Sequence, residues 1–215
     1  MDTLPGPAAH LKLTLTTLPN GKVLHRIHLQ RYRATQFNPG TTGNARFSPI
    51  RTASGKPIPT LYASTSMAGA LMETIFHDVP HTADLKTLDR RKLREQVHSR
   101  VLVQTPLQLV DLASVPLRKL GLTRRQLIDT EKHQYPATRK WAEAIHHQCA
   151  EAQGLSWVSR QDDTTRAFIL FGDRIAANML RQDQTSRSLL DDESAHDAVL
   201  ELAERIEVAI VPGMG

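Results

Sequence analysis

Glu73 is the only carboxylate in YASTSMAGALMETIF, residues 62–76, a stretch otherwise apolar, small or hydroxylated. Wound at about 100° per residue, Ala68, Leu71, Ile75, Phe76 and Val79 gather on one apolar face, and Glu73 falls beside Ser66, Gly69 and His77. No lysine or arginine stands at Gly69, Ala70, Phe76 or His77 to form a surface ion pair along the helix. A lone Glu in such a place is ordinarily a solvated charge. Here its small neighbours leave room for a ligand, and a presented carboxylate can stabilise a developing cation or do acid–base work. A second set of candidates lies upstream. The loop NPGTTGNARFSP, residues 38–49, holds Gly40, Gly43 and Arg46. Glycines let backbone N–H groups approach a phosphate, and an arginine can grip one with two donors. Neither GxxxxGK[ST] nor a strand–GxGxxG–helix unit is present, so taken alone the loop reads as a turn-rich connector. Arg26 sits inside the apolar run VLHRIHL. A charge there faces outward from a half-buried strand, or it is paired or faces a cleft.

Other chemistries find less support. His77 and His81 are spaced i,i+4, but Pro80 interrupts the helix that spacing needs and no HExxH glutamate accompanies them. His146 and His147 are adjacent and point to different sides of one helix. No metal site is expected. Cys149 falls on an apolar stripe, where it reads as a small hydrophobe, and no GxSxG elbow marks a serine hydrolase.

The elements that must position these residues follow from periodicity. Val23–Leu29 alternates as a half-buried strand. Residues 37–59 form a long loop rich in Gly, Pro, Ser and Thr, of the kind that is often functional. A short strand, Thr60–Ala63, leads to a helix over about residues 66–79, capped by Thr65 or Ser66 and ended near Pro80 and Asp84. Residues 90–98 predict a short helix; Ser99–Gln104 and Leu107–Leu112 predict strands. A helix opening at Pro136 carries Trp141, Ile145, Cys149 and Ala152 on one face, with Gly154 as its C-cap. Ser156–Ser159 and Ala167–Phe171 are strands joined by a polar turn. A helix over 195–205 and a strand over 208–211 close the chain. Strands and helices mix without regular βαβ alternation, so the fold class is α+β.

The 215 residues suit one domain with its own core. Residues 1–20, with three prolines, are expected to form an N-terminal arm or irregular edge, and 21–215 the domain proper. One cysteine allows no internal disulfide, no apolar run reaches membrane length, and no secretory leader is expected, which together favour the cytoplasm. The charge of +5 favours an anionic partner, but it is spread along the chain and aromatics are only 5%. Direct nucleic-acid binding by a basic module therefore ranks low.

Taken together, these residues resemble the RES domain family. The family opens on a strand carrying an Arg, here LHRIH with Arg26; Arg33 in RYRATQF competes for the place. A Gly-containing loop with a second Arg follows, here TTGNARFSP with Arg46, where a Gly-Gly-Arg-Trp-Asn type of string is common. YASTSMAGALMETIFH then supplies Tyr62 and Glu73, and GLSWVSRQDDTTRAFILF supplies Ser159, with Ser156 close by. The likeness spans roughly residues 23–175. It implies a fold similar to ADP-ribosyltransferases: a mixed β core flanked by helices. It implies the toxin of a bacterial toxin–antitoxin pair that cleaves the nicotinamide–ribose bond of NAD⁺ by hydrolysis or phosphorolysis and so arrests growth, or that transfers ADP-ribose to a protein. NAD⁺ is then the substrate, with no further cofactor. Glu73 would stabilise the ribosyl cation, Arg26 and Arg46 would hold the pyrophosphate, Tyr62 would stack on or shape the nicotinamide pocket, and Ser159 would bond the ribose or position Arg26. The implied partner is an Xre-like antitoxin that supplies the DNA binding, in a complex that allows a toxin homodimer.

Overall fold

The computed structural model describes residues 4–80 and 85–213; His81 and Asp84, named above, lie outside them. The strands are β1 (Leu15–Leu18), β2 (Val23–Leu29), β3 (Ile50–Arg51), β4 (Pro57–Ile58), β5 (Thr60–Ser64), β6 (Lys86–Asp89), β7 (Gln96–Val103), β8 (Leu107–Asp111), β9 (Gly154–Val158), β10 (Arg166–Phe171), β11 (Leu180–Gln182), β12 (Arg187–Ser188) and β13 (Val208–Val211). The helices are α1 (Met67–Thr74), α2 (Ser114–Lys119), α3 (Arg124–Leu127), α4 (Tyr135–Gln148) and α5 (Glu193–Arg205). One nine-stranded sheet runs β1-β8-β9-β10-β5-β2-β7-β11, with β12 also paired to β7. Its β8–β9 pair is parallel and the others are antiparallel. Strands β6 and β13 pair in parallel apart from it, and β3–β4 form a small hairpin inside the long loop.

Period-two alternation divides the core between the sheet faces. On β10, Ala167, Ile169 and Phe171 join Trp141, Ile145 and Trp157 beneath α4, whereas Phe168 and Leu170 join Leu24, Leu61 and Val101 in another cluster. A third cluster holds α1 and α5 together through Leu71, Ile75, Phe76, Val199 and Leu202. The α5 stripe Ala195, Val199, Leu202, Ala203 has helical spacing, and the Asp192 side chain caps it by accepting from Ala195 N at 2.9 Å. The architecture is α+β, as the residue pattern implies, with the mixed sheet and flanking helices that the family resemblance adds.

Several elements differ from expectation. The helix expected over 66–79 ends at Thr74, because Ile75 N and Phe76 N both donate to Leu71 O, at 2.8 and 3.0 Å, and turn both side chains into the core. Residues 90–98 are not a helix: a single 3₁₀ turn, Arg90–Leu93, precedes β7, whose alternating residues are drawn into the sheet. Gly154 does not cap α4. It lies in β9, where a Cβ would sit 2.2 Å from Ile169 O, so close strand approach explains the glycine. The N-terminal arm lies against α4, through Trp141 Nε1 donating to Pro5 O at 2.8 Å, and then enters the sheet as edge strand β1. No helix among the described residues is long and apolar enough to cross a membrane.

Candidate active site

Helix α1 starts on Ser66, whose side chain accepts from Gly69 N at 3.0 Å. Gly69 is pressed on the sheet: a Cβ there would lie 2.4 Å from Ser64 Oγ and 2.6 Å from Thr165 Oγ1. The small residue therefore lets the helix approach the strands; it does not clear space for a ligand, as the sequence suggested. The same approach sets Glu73, one turn on, against the segment after β9. Its side chain is only 13% exposed. Oε1 accepts from Ser159 Oγ at 2.7 Å, and Oε2 lies 3.7 Å from Arg46 Nη1. Glu73 is thus a held, inward carboxylate and not a solvated surface charge.

Ser159 is fully buried. Its hydroxyl donates to Glu73 and accepts from Gln161 N at 3.1 Å, and its carbonyl accepts from Arg124 Nη2 at 2.7 Å while Val158 O accepts from Arg124 Nη1 at 3.0 Å. Ser156, the alternative, accepts from Arg166 Nε at 2.9 Å and is remote in role from Glu73. Ser159 is the serine that meets the carboxylate. It is not among the residues lining the cavity, and its hydroxyl donates to Glu73 and not to Arg26.

Arg46 is fastened through its neighbours. Phe47 is wholly buried, its ring edge-on to Trp157 at 5.1 Å, and its N–H donates to Tyr62 Oη at 3.0 Å. Arg46 O accepts from Thr138 Oγ1, and Arg139 Nη1 donates to Asn44 Oδ1 at 2.8 Å, so α4 clamps the loop from the other side. The guanidinium is buried, yet Nε and Nη2 have no hydrogen-bond partner among the described residues; its Cζ lies 5.8 Å from the Tyr135 ring centroid. Gly43 lines the cavity, whereas Gly40 is buried beside Ile58. Tyr62 also lines the cavity, packing edge-on against Trp157 at 6.3 Å. Burial drives its phenol above the usual range, and its hydroxyl is committed to the Arg46 loop.

Arg26 follows the second of its two sequence readings, the one in which the charge faces a cleft. It is 7% exposed, not on the outward side of β2, and it lines the cavity. Its Nη1 donates to Ala34 O at 2.7 Å, Gln36 O at 2.8 Å and Arg33 O at 3.4 Å. Burial lowers it to about 10. Arg26 ties the turn after β2 into the wall, and Arg33 is exposed and contributes a carbonyl. Of the two arginines, Arg46 is the one brought to Glu73.

The cavity encloses about 440 Å³, a usual size for a small-molecule site. Glu73, Arg46, Tyr62 and Arg26 line it together with residues that sequence reasoning missed. Tyr135 Oη bonds His77 Nε2 at 3.0 Å, His77 Nδ1 bonds Asp78 Oδ1 at 3.0 Å, and Lys132 Nζ reaches Asp78 Oδ2 at 2.7 Å. Burial raises the Tyr135 phenol. Burial also pushes Asp78 up, but hydrogen bonds from Lys132 and His77 outweigh it and hold the carboxyl below its usual range. His77 enters the sequence reading as a neighbour of Glu73 on its helix face and as half of a rejected metal pair, and nothing local marks Tyr135 beyond the Pro136 helix start. Among the described residues, no three His, Cys, Asp or Glu side chains are grouped to hold a metal ion. The arrangement suits a ligand that offers a cationic or hydroxylated centre to Glu73 and an anion to Arg46.

No curated protein matches the chain in sequence. A chain of the crystal structure of the M. tuberculosis MbcT–MbcA toxin–antitoxin complex shares the fold, with a TM-score of 0.63 and 14% identity over 87% of this chain and 92% of that one. The family model of the RES domain matches residues 23–191, and the chain belongs to the RES domain family.

Proposed function

We propose that this protein is the toxin of a toxin–antitoxin pair and that it cleaves the nicotinamide–ribose bond of NAD⁺, passing ADP-ribose to water or phosphate. The observation that carries the reading is the inward, half-buried Glu73 carboxylate, held by Ser159 and set 3.7 Å from a guanidinium with donors unfilled among the described residues. Breaking the glycosidic bond returns its electron pair to the pyridinium nitrogen, so nicotinamide leaves neutral and needs no strong acid. Positive charge builds on the ribose instead, as in glycoside hydrolysis. A carboxylate already oriented by its hydrogen bond stabilises that charge with little reorganisation. Arg46 supplies the cation for the pyrophosphate. Tyr62 shapes the wall and Arg26 holds the turn beside it. Kinship with the RES family and the fold shared with a chain of a toxin–antitoxin complex support an antitoxin partner; on this reading it is Xre-like and covers the cavity.

The test is nicotinamide release from NAD⁺ by the purified chain, followed by chromatography. Glu73→Gln, of the same shape, should lower the rate by at least about 10²-fold with an unchanged melting temperature. Full activity in that variant, or no release by the wild type, refutes the reading. Label from NAD⁺ retained on a protein band would redirect it to ADP-ribosyl transfer.

A further inference from the structure

Arg46 presents an unusual balance. A buried guanidinium normally has its five donors filled by carboxylates or carbonyls. Here Nε and Nη2 are buried without an acceptor among the described residues, and Nη1 approaches Glu73 only to 3.7 Å. The group set against the guanidinium is the Tyr135 ring, 5.8 Å from Cζ, within reach of a cation–π contact. That ring is itself locked. Its hydroxyl bonds His77, whose other nitrogen bonds Asp78, whose second oxygen holds Lys132. A carboxylate at Nδ1 makes that nitrogen the N–H donor, so Nε2 accepts and the Tyr135 O–H donates. The chain of bonds joins two segments 58 residues apart, the one after α1 and the start of α4, along the cavity wall.

We propose that Tyr135 is a positioning residue: its ring, locked through His77, Asp78 and Lys132, is the face on which Arg46 is stored ready for an anion. An arginine parked in hydrogen bonds must break them to take a ligand. One parked on an aromatic face keeps its donors unspent and its direction fixed, so less is lost on binding. This deepens the proposed NAD⁺ reading, on which the identity of the anion as a pyrophosphate rests.

Two readouts separate the proposals. The first is calorimetric binding of inorganic pyrophosphate; the second is KM and kcat for NAD⁺. Tyr135→Leu, which removes the ring, should weaken pyrophosphate and raise KM by about 5- to 30-fold, with kcat changed far less. Tyr135→Phe, which keeps the ring but cuts the lock, should restore most of that loss. In an Arg46→Lys background the Tyr135→Leu penalty should shrink to within about 2-fold, because the partner of the ring is gone. Equal penalties in the two backgrounds, equal losses for Leu and Phe, or no pyrophosphate binding by the wild type would overturn the proposal. Pyrophosphate binding in the predicted order without any NAD⁺ turnover would sink the proposed reaction and leave the role of Tyr135 standing. If Tyr135→Leu does not fold, Tyr135→Phe decides, measured with Arg46 intact and again in the Arg46→Lys background: its effect must be smaller beside the lysine.

Discussion

Ser159→Ala removes one oxygen from the interior and tests whether that hydroxyl serves Glu73 or the ligand. In the wild type the oxygen is fully buried, gives its proton to Glu73 Oε1 at 2.7 Å, and accepts from Gln161 N at 3.1 Å. A hydrogen bond to a charged group contributes about 1.5–3 kcal/mol. If that whole contribution serves to aim the carboxylate in the transition state, kcat for nicotinamide release falls about 10- to 150-fold. The Gln161 N–H loses its acceptor too, which costs about 1 kcal/mol of stability and lowers Tm by roughly 2–4 °C for a chain of this size. Steady-state rates on NAD⁺ should therefore rank wild type above Ser159→Ala above Glu73→Gln, with KM little changed, since Ser159 is not on the cavity wall. A loss as deep as that of Glu73→Gln would mean that the hydroxyl touches the substrate. A kcat within about 2-fold of wild type would mean that Glu73 needs no aiming. Either result refutes the reasoning.

The packing of α1 and the histidines of the sheet give further expectations. Gly69→Ala gains about 1 kcal/mol of helix propensity but forces a methyl toward Ser64 Oγ and Thr165 Oγ1, at 2.4 and 2.6 Å. Overpacking costs about 1–3 kcal/mol, so urea unfolding should show a net loss of up to about 2 kcal/mol. His28 and His98 are buried in β2 and β7, and burial lowers them from 6.5 to about 4 and about 3. The unfolded chain therefore binds more protons than the folded one between these values. Stability is full above about pH 6.5 and is lost as pH falls toward 4; thermal melts across that window should show the decline, and His98→Gln should flatten it.

Local elements were legible wherever a period was uninterrupted. β2 follows from alternation and α5 from helical spacing, whereas β5 and β10, buried on both faces, follow as short apolar runs bounded by turns. β13 was read as a strand but β6 was not, since their parallel pair joins segments far apart in the chain and no local pattern records the partner. The site was legible as a set of residue types, and the family resemblance selected among them. Contacts were not legible. An arginine inside an apolar strand reads the same whether it meets a ligand or, as Arg26 does, three carbonyls. A serine at the end of a strand reads the same whether its hydroxyl faces a cavity or a carboxylate 86 residues away. Tyr135 carried no signal because its meaning lies in His77 and Arg46, which only the folded chain brings to it.

The bond from Ser159 to Glu73 also sets an order of events during synthesis. Glu73 leaves the ribosome 86 residues before the hydroxyl that holds it. β5, just ahead of α1, lacks its β10 partner until residues 166–171 have emerged. Tyr135, on which the guanidinium of Arg46 rests, likewise arrives late. A nascent or truncated chain thus carries every residue named in the first half of the motif and still has no aimed carboxylate. Ribosome-bound chains ending before about residue 159 should be inert toward NAD⁺, and competence should appear abruptly, with the closing strands of the sheet, and not accumulate with length.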